Sequence, residues 1–134
     1  EMYVRTYTHT HTHNIHIYVH SHTCKCLYMY TYTHIHINIY TSTFVCVPDG
    51  GRIIKIITHN KATTTGTAAI SFEIGGVAVT GGAISHTASG SAGRVATAEP
   101  TALNRVEEDG TIECITNGGS TNSSKMEITF VIRR

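Results

Sequence analysis

An all-β fold, an antiparallel β-sandwich or jelly roll, is predicted by three features of this sequence. Short runs alternating apolar and polar residues, the period of a strand, recur from residue 52 onward. Turn-forming clusters separate them: Pro48-Asp49-Gly50-Gly51, Gly75-Gly76, Gly81-Gly82 and the stretch NGGSTNSS at residues 117–124. No segment sustains the apolar period of a helix. Composition agrees, with only 14% charged residues and abundant Thr, Ser and Gly.

The chain divides in two: a low-complexity extended tract of Thr, His, Tyr and Ile over residues 1–46, and the sandwich over residues 47–134. The tract contains THTHTH at residues 8–13 and runs on through NIHIYVHSHTCKCLYMYTYTHIHINIY to Tyr40. The first 40 residues hold eight of the ten histidines, all seven tyrosines and none of the twelve glycines. Three readings are open. As strands, residues 3–22 and 27–44 would form a long pair, since Thr, Ile, Tyr and Val favour extended backbone. Neither face of THTHTH is apolar, however, so nothing there sets a register. As a metal site, His9, His11 and His13 would project from one face about 6.6 Å apart, and His22, Cys24 and Cys26 repeat that geometry with softer ligands. A built site needs supporting carboxylates, and Glu1 is the only acidic residue before Asp49. Only adventitious metal binding is expected of these six residues, and no cofactor.

The third reading is favoured. An AC repeat translates as Thr-His-Thr-His, an AT repeat as Ile-Tyr-Ile-Tyr and a TG repeat as Cys-Val-Cys-Val. Those three patterns account for nearly every residue from Tyr7 to Val47. On this reading the tract is translated repeat DNA, disordered or irregular β, and adds little to the stability of the domain after it.

Within the domain, RIIKIITH at residues 52–59 is apolar enough to be covered on both faces. AAISFEI, residues 68–74, sets Ile70, Phe72 and Ile74 against Ser71 and Glu73. Gly75-Gly76 supplies the positive φ angles of a two-residue hairpin turn, and Val77 and Val79 return on the same apolar face. AISHT and the small-residue stretch ASGSAG come next. Pro100 bars its segment from a central strand position. TIECIT, residues 111–116, is a strand with Ile112 inside. The last strand, Lys125–Arg134, turns Met126, Ile128, Phe130 and Ile132 inward, and is expected to be central in its sheet or buried between subunits.

No catalytic residues are expected. His59 and His86 read as surface or turn histidines, and Glu107, Glu108 and Asp109 as a solvated turn rather than a calcium loop. Cys114 reads as a small buried hydrophobe, and all four cysteines as reduced thiols. The glycine pairs match no phosphate-binding loop, and the absence of Trp weakens a sugar-stacking reading. A net charge of +1, balanced in residues 48–134 by eight basic and eight acidic side chains, offers no field to steer nucleic acid or an anionic membrane. No apolar run reaches the roughly 18 residues of a membrane span, and no basic-then-apolar leader is read.

The words GGRIIKI, ISFEIGGVAVTGGAI, SGSAGRVATAEPTALNRV and DGTIECITNGGSTNSSKMEITFVIRR together resemble the small β-sandwich head-decoration proteins of tailed phages. The resemblance covers residues 50–134. It departs at Glu108-Asp109-Gly110, where such proteins usually read Gly-Asp. It implies a non-enzymatic virion protein, a homotrimer on a capsid or fibre surface, whose partners are its own copies and a capsid or fibre protein, with neither nucleic acid nor membrane. A carbohydrate-binding or adhesive sandwich module is the alternative function, and a His-rich metal-binding protein the second.

Overall fold

The computed structural model describes residues 27–36, 42–87, 94–121 and 125–134, with only the backbone described for residues 27–36. They form ten strands and, among the described residues, no helix: β1 Leu27–His36, β2 Ser42–Val47, β3 Gly51–Asn60, β4 Ala68–Ile74, β5 Val77–Ala78, β6 Ile84–His86, β7 Val95–Ala98, β8 Arg105–Val106, β9 Gly110–Thr116 and β10 Lys125–Arg133. All pairings are antiparallel. Sheet I has the order β1-β10-β3-β7, with β8 also on β3; sheet II has the order β2-β9-β4-β5, with β6 also on β4. The two sheets pack face to face as a β-sandwich.

The alternation in the sequence becomes the core directly. Ala68, Ile70 and Phe72 of β4, Ile112 and Cys114 of β9, and Met126, Ile128, Phe130 and Ile132 of β10 are buried in one cluster between the sheets. Phe72 of sheet II meets Phe130 of sheet I edge to face, ring centres 5.4 Å apart, an arrangement the ring quadrupoles favour. Strand β10 is central, between β1 and β3. It thereby hides the edge that would otherwise invite aggregation.

Two sequence expectations for this core need correction. Strand β3 is not covered on both faces, because Ile54 and Ile57 are only half-buried while Ile53, Ile56, Thr58 and Asn60 face the core. A bulge decides which residues face in: Val131 pairs with Lys55 but Ile132 with Ile53, so Ile54 is the extra residue and the inward phase shifts by one. Val77 is 50% exposed rather than internal. It pairs with Ile74 just after the Gly75-Gly76 turn, whose φ angles are 59° and 76°, on the outermost strand of sheet II, where no further strand among the described residues covers it. Val79, farther from the turn, is buried as expected.

The sandwich also extends ahead of residue 47. Strand β1 runs beside β10 from Leu27 opposite Arg133 to His36 opposite Lys125, and β2 pairs with β9 and places Val45 and Val47 in the core. One strand from that side of the boundary thus joins each sheet. The strand expected at residues 3–22 lies outside the described residues.

Candidate functional site

One end of the sandwich has a polar interior. Strand β3 ends in buried Thr58 and Asn60, β6 in His86 and β9 in Thr116, and buried Thr64 and Ser120 close this end. His86, expected as a surface or turn residue, is 3% exposed and spans the two sheets. The Thr58 hydroxyl donates to the Ala96 carbonyl at 3.3 Å, which leaves Nε2–H of His86 to donate to Thr58 Oγ1 at 2.8 Å. Burial, and then the nearby Arg94 guanidinium, lower the imidazole pKa below 6.5. Around this pair the chain is closely fitted. A Cβ on Gly66 or Gly119 would collide with backbone of the facing segment, the Gly119 and Thr67 carbonyls respectively. Asn117 accepts from the Ala69 amide at 2.9 Å and from that of Gly119 at 2.9 Å. Every buried side-chain polar atom among the described residues has a hydrogen-bond partner, so this end holds a filled network rather than an open site.

The outward faces carry the remaining chemistry. On sheet I, Glu127 lies opposite His59 in register, 3.2 Å from its Nδ1, and takes Lys61 Nζ at 2.8 Å. The Lys61 hydrogen bond is the chief reason the Glu127 carboxyl titrates below its usual range. His59 is thus a strand residue too. On sheet II, Phe44, Glu113 and Glu73 stand in one cross-strand row. Beside that row lies a shallow depression of about 180 Å³ lined by Ala69, Ser71, Ala83, Ile115 and Asn117.

No group of three or more His, Cys, Asp or Glu converges on a metal position among the described residues. His9, His11, His13, His22, Cys24 and Cys26 lie outside them. Glu107, Glu108 and Asp109 are exposed on a turn closed by the Gly110 amide donating to the Glu107 carbonyl at 3.0 Å, with Arg105 against Glu107. Cys114 is buried, and burial followed by the charge of Glu113 raises its thiol pKa far out of the reactive range. Among the described residues no helix is long and apolar enough to cross a membrane.

The sheet edges are a further feature. Phe44 on β2, Val77 on β5 and Val95 on β7 are 57%, 50% and 61% exposed, and each sits on an outermost strand. Those three strands, STFVCV, VA and VATA, contain no charged residue. Leu103, 59% exposed, is held at φ 53° in the loop before β8, where Asn104 turns inward and its side-chain amide donates to the carbonyls of Ile53 at 2.7 Å and Pro100 at 3.2 Å. Sequence reasoning missed Asn104; its only signal was a polar residue following a proline segment.

No family model matches the chain, and no curated protein matches it. Among solved structures, the crystal structure of dimeric latent PorU from Porphyromonas gingivalis is similar over 81% of this chain and 13% of that one, at 12% identity and a TM-score of 0.39.

Proposed function

We propose that this chain is a non-enzymatic structural protein that works in many copies, its sandwich associating with other copies and with a shell or fibre surface. The observation that carries this reading is the character of the sheet edges. Soluble sandwiches blunt outer strands with lysine, proline or bulges, because a bare edge recruits another strand. Here three of the outer strands, β2, β5 and β7, lack charge and each presents a large apolar side chain outward, whereas the short outer strand β8 carries Arg105. Exposed apolar residues scattered singly need no explanation, but three of the four large ones among the described residues lie on uncharged outer strands. The resemblance of residues 50–134 to phage head-decoration proteins supports the same reading and adds a virion location and a trimer to it. Size is compatible with it, since a domain of this size buries roughly 60–70% of its unfolded surface and any subunit contact adds to its stability.

Light scattering on the full chain at micromolar concentration tests it. The expected result is a mass above that of one chain, rising with concentration. A monomer at every concentration that also binds a glycan overturns the proposal in favour of the carbohydrate-binding or adhesive module.

A further inference from the structure

We infer that sheet I carries an anion-binding site on its outer face, a cross-strand row of Arg133, Arg52 and Arg105, whose ligand is a divalent oxyanion, phosphate or sulfate. The register assembles the row. Arg52 of β3 is the Cα partner of Arg133 of β10 on one side and of Arg105 of β8 on the other. All three arginines are exposed, while their neighbours Gly51, Ile53, Ile132 and Val106 are buried, so the three share the solvent face. Residues directly opposite on adjacent strands hold their Cβ atoms about 5 Å apart, and like charges so placed destabilise a sheet.

The chain does not answer this charge. Glu107 takes Arg105 at 3.1 Å, and Asp49 takes Arg134. Glu127 is committed to Lys61 and His59 toward the other end of β10. Glu108 and Asp109 are exposed on the turn beyond β8, and among the described residues no side-chain carboxylate forms an ion pair with Arg52 or Arg133. Outside the described residues the chain has one acidic side chain, Glu1. Two arginines on adjacent strands thus repel each other with no internal counter-charge. An oxyanion set between them replaces that repulsion with charge-assisted hydrogen bonds, since the planar guanidinium fork matches phosphate or sulfate oxygens in pairs. Chloride has one charge and no such geometry. A net charge of +1 supplies no long-range field, so recognition acts at contact distance, which suits a small ligand group. A free ion and a sulfated sugar present the same group, and the experiment separates them.

Arg52 and Arg133 meet only in the folded sheet, so the ligand binds the folded chain alone and raises its melting temperature. Thermal melts and amide NMR spectra of the full chain, titrated with inorganic phosphate against sodium chloride at constant ionic strength, test the site. Expected are a melting temperature that rises and then saturates, and amide shifts concentrated at residues 51–53, 105–106 and 132–133. Arg52→Gln and Arg133→Gln each weaken binding about tenfold or more, and either carries the test should the other fail to fold. Arg52→Lys, which keeps the charge but not the fork, gives an intermediate loss. Lys125→Gln, at the opposite end of β10, leaves binding unchanged. A second titration uses a sulfated disaccharide: tighter binding than the free ion assigns the group to a glycan, and weaker binding assigns it to the ion. A rise that never saturates and is equal in Arg52→Gln is the general effect of phosphate on burial. That result overturns the site, as do amide shifts that avoid the row.

Discussion

Protonating His86 places a charge where the structure leaves no room to hydrate one. Its folded pKa is lowered from 6.5, so the neutral ring contributes stability fully above that pH and loses it as pH falls through the lowered folded value. Thermal melts should show the midpoint dropping as the buffer is taken below pH 6.5, and His86→Gln, which keeps a donor toward Thr58, should flatten that drop. Glu127 adds a second loss only below its ordinary 4.5, a small one because the carboxylate is partly solvated. Phe72 is fully enclosed against Phe130, and Phe72→Ala should cost about 3–5 kcal/mol in a denaturant titration. Asn104 closes both backbone groups of Ile53, its own carbonyl accepting from the Ile53 amide at 2.8 Å. Asn104→Ala should therefore cost about 1–3 kcal/mol by orphaning a buried carbonyl. Leu103 is the opposite case: a branched side chain at positive φ with little burial to lose, so Leu103→Gly should raise stability by roughly 0.5–1 kcal/mol.

At the scale of the element, period-2 alternation made β4, β9 and β10 legible because each crosses the core without interruption, and Gly75-Gly76 declared its turn because only positive φ closes so short a hairpin. Strand β3 was half legible. Its run of isoleucines announces a strand but not the bulge at Ile54, which arises from the mismatch with β10 and has no local signature. His86 was illegible for a related reason: one histidine in a short strand gains its meaning from Thr58 and Arg94, which are distant in sequence. The uncharged edges could have been read from the strand texts, but which strands are outermost is a property of pairing. The Gly66–Gly119 approach is likewise invisible until the two loops meet. Gly119→Ala should lower the melting temperature clearly, because the obstacle is backbone and cannot rotate away, whereas Gly75→Ala, with open space around it, should show only the cost of its φ.

For the whole molecule, the two strands drawn from before residue 47 make a testable claim about integrity. A chain beginning at residue 47 loses β1 and β2, bares one side of both β10 and β9, and removes Val45 from the core. It should melt lower than the full chain or aggregate, and equal stability would show that the tract is dispensable, as the repeat-like text suggests. The threading of sheet I has a consequence in time. Strand β10 comes after every other described strand in the chain, yet it sits between β1 and β3 and hydrogen-bonds to both. During synthesis β1 therefore emerges nearly 100 residues ahead of the strand it must pair with, and β3 waits with one side of its ladder open. Closure of the sheet is a single late insertion rather than a progressive zipping. Folding dominated by such distant pairings runs in milliseconds to seconds, and the waiting strands are exposed throughout. Crowded nascent chains would thus meet their greatest risk of mispairing just before β10 appears, and slowing elongation ahead of residue 125 should lower the soluble yield.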